Sequence, residues 1–194
     1  MVLLISGSPK KKSNCNQLVE YIKDKLSKEN IPSDILKLSE VKISPCLDCG
    51  GCRKQPTCKI NDDYNQIIPL FEKAKIIVVA SPVYFGNVTA QLKALFDRTV
   101  GLRRNGSPLE HKFGAGIAVG GSRNGGQEFT LMAIQNWLHI HGMFSFPDSK
   151  PYSHFGGILT AHSFDEAEKD SIGMETVNAL INNILFINKN YSHA

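Results

Sequence analysis

The chain has 194 residues, 42% of them hydrophobic and 21% charged, with a formal net charge of +4. That length fits one well-packed core and is short for two, so a single domain is expected over residues 1–194. No apolar run approaches the roughly 20 residues that span a bilayer, and no basic stripe or known module points to nucleic acid, so neither a membrane nor a nucleic-acid partner is expected.

The opening Met1-Val2-Leu3-Leu4-Ile5 is too short for a signal segment and runs straight into a glycine turn, and five cysteines suit a reducing compartment. A cytoplasmic protein is expected. Val2 to Ile5 is a continuous apolar run that stops at Ser6-Gly7-Ser8-Pro9, the pattern of a parallel strand buried on both faces. Ser13 or Asn14 caps a helix whose apolar residues Leu18, Ile22 and Leu26 recur every four positions, ending near Asn30 ahead of Pro32. Residues 34–38 form a second, less apolar strand, and a cysteine-bearing loop over 44–60 follows it.

Asn61 or Asp62 begins the next helix, which carries Ile67, Ile68, Leu70 and Phe71. Residues 75–80, β-branched and apolar, make the strongest strand and a central one. A loop over 81–87 leads to a helix over 88–100 with Leu92, Leu95 and Phe96 inward, and then to a polar link over 101–110. Residues 113–119 form a fourth strand ending in a glycine-rich turn. A helix over 128–141 places Leu131, Ile134 and Leu138 on one stripe, with Met132 and Trp137 read as core or interface. A short fifth strand over 143–146 and a last amphipathic helix over 164–189 complete the chain. Strands alternating with helices give an α/β fold, here a flavodoxin-like three-layer sandwich with a five-stranded parallel sheet in the order 2-1-3-4-5.

Cys46, Cys49, Cys52 and Cys58 stand in the pattern C-x2-C-x2-C-x5-C, with glycines and prolines in the gaps. Such a stretch forms neither a regular helix nor a strand. Three thiolates two residues apart let a short loop wrap one corner of an iron-sulfur cluster, and a fourth after a longer gap closes the coordination. Structural zinc more often splits four cysteines into two C-x2-C pairs, and plain thiols or a redox pair are the third reading. Cys15 lies far from this group and reads as a small buried hydrophobe.

Ligands of a doubly wound sheet bind outside the carboxyl ends of its strands. Ser6, Ser8, Pro9, Lys10, Ser13 and Asn14 offer hydroxyls, a lysine and a helix N-terminus, the parts of a phosphate site. Pro82, Val83, Tyr84, Phe85, Gly86 and Asn87 can lay backbone amides and an aromatic ring along a flat heterocycle. Gly120, Gly121, Arg123 and Gly126 let a third segment approach closely. None of these is a Walker loop or a G-x-G-x-x-G turn. Together they point to a planar phosphorylated cofactor, and FMN fits.

The Ser6-to-Lys10 start, the compact cysteine motif followed by Asp62-Asp63, the 81–86 loop, Lys93 with Asp97-Arg98, and the run Gly120 to Glu128 resemble the iron-sulfur flavoproteins. These belong to the flavodoxin-like group of NAD(P)H-dependent flavin reductases, and the likeness spans residues 1–150. It implies an FMN electron carrier with a [4Fe-4S] cluster on Cys46, Cys49, Cys52 and Cys58. It also implies a homodimer or homotetramer in which cluster and flavin approach across subunits, fed by a ferredoxin-type donor. Where the family's first loop continues with Asn-Thr, this chain has Asn14-Cys15, so Cys15 takes the place of one phosphate-binding hydroxyl.

The expected function is therefore electron transfer in which the cofactors do the chemistry and the protein sets distance and potential, with no catalytic acid or base. Arg53, Lys54 and Lys59 are expected to offset the cluster's negative charge. The alternatives are an NAD(P)H-dependent FMN or quinone reductase without a cluster, and a zinc-binding regulatory module. His111, His139, His141, His154, His162 and His193 show no metal-binding spacing and are read as structural or surface residues.

Overall fold

The computed structural model describes residues 1–55 and 57–191; Pro56 of the cysteine loop and residues 192–194, His193 included, lie outside the described residues. Strands β1 (Val2–Ser6), β2 (Ser33–Lys37), β3 (Ile76–Pro82) and β4 (Phe113–Gly120) are all parallel, and the sheet order is β2-β1-β3-β4-β5, with β5 at Phe144–Ser145. The expected order is the observed one.

Alternation along the strands divides the core. Val2, Leu4, Ile76 and Val78 face helices α1 (Asn14–Lys28) and α6 (Ser171–Tyr191), whereas Leu3, Ile5, Ile77 and Val79 face α2 (Tyr64–Lys73), α3 (Ala90–Arg98) and α5 (Gln127–Ile140). A strand covered on both sides has no polar face, which is why its sequence reads as an unbroken apolar run. Glycines at Gly114 and Gly116 leave room for Leu138 and Leu131 of α5 to press directly on β4.

Three expectations are corrected. The fifth sheet position is filled in two pieces: β5 pairs with Phe113 and Gly114, and a further strand, β6 (Gly157–Thr160), pairs with Ile117 to Gly120. The chain leaves the sheet edge between them, and β6 is too short and too glycine-flanked to show the usual strand pattern. The link after α3 is partly helical, as α4 (Val100–Arg104). The last helix begins at Ser171 rather than at residue 164. Asp170 stops it there: its carboxylate accepts from Gly173 N at 2.9 Å and from Thr160 N at 2.8 Å, tying the helix start to the end of β6. Ile172, the second residue of this helix, is exposed.

Candidate functional site

Because β1, β3 and β4 are parallel neighbours, the three loops that leave their carboxyl ends meet on one edge. Gly7 starts the first loop, its amide donating to Ala80 O at 2.7 Å, and a side chain there would collide with Leu92 of α3. Asn16 folds the loop back by donating to Lys11 O at 2.8 Å, and Lys10 N donates to Ser8 Oγ at 3.3 Å. Ser13 is the N-cap of α1, accepting from Asn16 N at 3.2 Å. The first two helical amides, of Asn14 and Cys15, find no protein acceptor among the described residues. Unpaired amides at a helix start favour an anion. Ser6 Oγ is buried and also lacks a partner.

Two residues of this loop turn away from it. The Asn14 side chain donates to Ser163 O at 2.9 Å and accepts from the amides of Glu166 and Ala167, bracing the segment ahead of α6. Cys15 is buried in the α1 core, and burial pushes its thiol up to about 12, so it is inert. At both positions only the backbone amide faces the loop.

The second loop is a tight turn: Tyr84 and Asn87 exchange backbone hydrogen bonds at 2.9 and 3.1 Å around Phe85 and Gly86, both at positive φ. Tyr84 is half-exposed and Phe85 fully so. Pro82 and Val83 join this turn to β4, with Val83 N donating to Val119 O at 2.9 Å. The third loop closes against it. A Cβ on Gly126, which has φ 101°, would stand 3.0 Å from Gly86 Cα and 3.2 Å from Val83 Cγ1, so only glycine permits this approach. Gly120 has no room for a side chain because Gln127 lies there; at Gly121 the space is open.

Gln127 is a residue that sequence reading missed. It is buried, its amide nitrogen donates to Ser122 O at 2.8 Å, and its oxygen accepts from Gly125 N at 2.8 Å, so one side chain fixes the glycine turn from within. Arg123 is exposed on the outer side of the same turn.

The cysteine loop is built differently. Apart from a single 3₁₀ turn at Gly51–Arg53 its described residues have no regular structure, and side chains from distant elements hold it. Asp62 and Arg98 form a buried bidentate pair at 2.8 and 3.0 Å; Arg98 also donates to Ser44 O at 2.9 Å, and Asp62 accepts from Ser44 N at 2.8 Å. Asp63 accepts from Lys42 N at 2.7 Å. At the far end Asn65 exchanges two 2.8 Å hydrogen bonds with the backbone of Cys58. In the middle Asn105 donates to Cys52 O at 3.0 Å, and Arg104 Nη1 lies 3.2 Å from Cys52 Sγ. Burial works against the Asp62 charge, but the Arg98 hydrogen bond and the amides of Ser44 and Tyr64 outweigh it and hold the carboxyl down to about 2.

Cys46, Cys49, Cys52 and Cys58 all line one cavity, with Tyr64, Arg98 and Gly101 behind them. Among the described residues no three His, Cys, Asp or Glu side chains are grouped so as to hold a single metal ion. The cations that reach the cavity are Arg98 and Arg104. Arg53, Lys54 and Lys59, the expected counter-charges, are exposed on the same loop and do not line the cavity. The Asp62-Asp63 and Asp97-Arg98 dipeptides were visible in the sequence, but nothing there pairs Asp62 with Arg98 across 36 positions. None of the flavin-loop residues lines this cavity.

A doubly wound parallel sheet whose three loops meet at its switch edge is a flavodoxin-like fold. The NADPH-dependent FMN reductase family matches residues 1–156. An iron-sulfur flavoprotein of Methanosarcina thermophila is 46% identical over 89% of this chain and 87% of its own. One of Methanocaldococcus jannaschii is 39% identical over 92% of each. The apo form of an NADH:FMN oxidoreductase superposes with a TM-score of 0.68 at 21% identity, covering 95% of this chain and 88% of that one, which bears on the fold alone. The chain belongs to the iron-sulfur flavoprotein family. No helix among the described residues is long and apolar enough to cross a membrane.

Proposed function

We propose that the protein is an electron-transfer flavoprotein with FMN on the three-loop edge and a [4Fe-4S] cluster on Cys46, Cys49, Cys52 and Cys58. Such a cluster supplies one-electron steps and the flavin one- or two-electron chemistry. The observation that carries this reading is the cavity. Four thiols and the cations Arg98 and Arg104 line it together, the donor set and the counter-charge that a thiolate-bound cluster asks for. In its wall, buried Arg98 Nε–H has no acceptor among the described residues, and a sulfur-rich anion supplies one.

On the three-loop edge, the amides of Asn14 and Cys15 with Ser6, Ser8, Lys10 and Ser13 take the phosphate. The Pro82-to-Asn87 turn and Gly120, Gly121, Arg123 and Gly126 border the ring. Asn14 and Cys15 contribute backbone only, so the missing hydroxyl at Cys15 is not replaced by its thiol. Outer-sphere transfer asks no proton of the protein, which sets separation and potential.

Exposed Arg53, Lys54 and Lys59 around the cysteine loop give an acidic, ferredoxin-type donor a basic face. The outward stripe of α5 carries exposed Phe129, Met132 and Ile140, a surface for assembly into a homodimer or homotetramer. Unpaired cysteines fit a reducing cytoplasm.

The test is an absorption spectrum of protein purified without oxygen, with iron, zinc and acid-labile sulfide counted in the same sample. The two-cofactor reading expects flavin bands on a broad cluster shoulder, with about four iron and four sulfide per chain. Flavin without iron after reconstitution, bleached rapidly by NAD(P)H, would replace it with a reductase whose cysteine loop is structural.

A further inference from the structure

The four cysteines are not equivalent. Among the described residues, Cys52 alone has a side-chain N–H directed at its sulfur, from Arg104 Nη1 at 3.2 Å. Its backbone carbonyl is held as well, by Asn105 Nδ2 at 3.0 Å, and a Cβ on Gly101 of α4 would stand 3.6 Å from Cys52 Cβ, so the two backbones pack closely. The other fork of the Arg104 guanidinium faces Asp48 at 3.7 Å, so one arginine spans the turn between the second and third cysteines. An exposed ion pair of that length contributes little by itself. A cationic N–H on a thiolate sulfur is a different matter, because it withdraws charge from the metal side of the ligand and favours the more negative, reduced state.

We propose that Arg104 is a positioning and tuning residue for Cys52: it orients that sulfur and raises the reduction potential of the cluster bound there. The inference rests on the cluster reading above. It adds that the four corners are electronically unequal, with the Cys52 corner the most electron-accepting. It also gives α4 a role, since this helix is where Arg104, Asn105 and Gly101 gather.

The test compares Arg104→Met, Arg104→Lys and Arg103→Met in the full chain, each reconstituted anaerobically. Iron and sulfide are counted first, and the cluster is then titrated potentiometrically with its reduced-state spin signal as the readout. At a fixed ambient potential Arg104→Met is expected to lower the ratio of reduced to oxidised cluster about tenfold, ~59 mV for a one-electron couple. Arg104→Lys keeps the charge without the planar fork and recovers part of that loss. Arg103→Met, one residue away with no contact to a cysteine, leaves the potential in place. Equal potentials in wild type and Arg104→Met at full iron loading would overturn the proposal, as would an equal shift in Arg103→Met. Absence of iron from the wild type after reconstitution would instead overturn the cluster reading itself, so the two failures are told apart.

Discussion

The three-loop edge and the cysteine loop, the two regions proposed to hold cofactors, are built by opposite means. On the three-loop edge the backbone sets the shape: strand ends, a helix start and glycines whose missing side chains set the spacing between loops. The one important side chain there, Gln127, works inside the turn it stabilises. The cysteine loop borrows its shape from side chains on three helices, through Asp62–Arg98, Asn65, Arg104 and Asn105. An edge made of backbone tolerates most substitutions except at its glycines. A loop held by a few long-range contacts is only as ordered as each of them.

The largest effect should come from cutting the buried pair. Arg98→Met leaves the Asp62 carboxylate buried and uncompensated, for a loss of about 3–5 kcal/mol in denaturant unfolding. Asp62→Asn keeps the shape and should lose less. At a temperature where either variant folds, iron loading should fail while FMN still binds. Loss of both cofactors together would show that the two regions are not independent. The pair also fixes a pH dependence. The folded carboxyl sits near 2, below its unfolded value near 4, so its contribution is fully present above about pH 4 and disappears as pH falls through about 2. Acid unfolding of Asp62→Asn should lack that part of the slope.

That contrast also explains what could be read from the sequence. The strand runs, the Ser13 cap, the positions of the three loops and the cysteine spacing are local patterns, and each lies where it was expected. β6 was not legible, because four residues between glycines and a polar turn carry no periodicity. The start of α6 was missed because several polar residues before it could cap a helix, and the contact of Asp170 with Thr160, which arrives from the sheet, is not local. In the sequence Arg98 stands out only as part of the Asp97-Arg98 dipeptide, and Arg104 lies in a polar link. Their roles depend on where α3 and α4 end relative to a loop about 50 residues earlier, which no local pattern records. Asn14 shows the converse: its side chain suits a phosphate, and here it is engaged by the segment before α6.

A middle-sized effect sharpens the comparison from the flavin side. Gln127→Ala removes the acceptor of Gly125 N–H and the donor to Ser122 O, which should destabilise the fold by about 1–3 kcal/mol. FMN affinity should fall about tenfold for each 1.4 kcal/mol transmitted to the site. Calorimetric titration of the apoprotein with FMN measures this, and iron and sulfide content should stay at the wild-type value. A loss of iron in this variant would mean that the glycine turn also supports the cysteine loop.

The smallest effect has the opposite sign. Phe85 sits at φ 50° in a turn whose other central residue, Gly86, has φ 68°, and a non-glycine residue in that region costs about 1–2 kcal/mol. Burial does not offset this cost within the chain, since the ring is fully exposed. Phe85→Gly should therefore stabilise the isolated subunit by up to about 1 kcal/mol in denaturant unfolding, while FMN affinity or subunit assembly weakens. A strained, exposed aromatic is retained for what lies beyond its own subunit's core, either the flavin ring or a neighbouring copy. Titration with FMN and sedimentation of the variant decide between those two. A fall in stability with both binding and assembly unchanged would show that Phe85 packs within its own chain after all, and that the tip of this loop belongs to the scaffold rather than to the site.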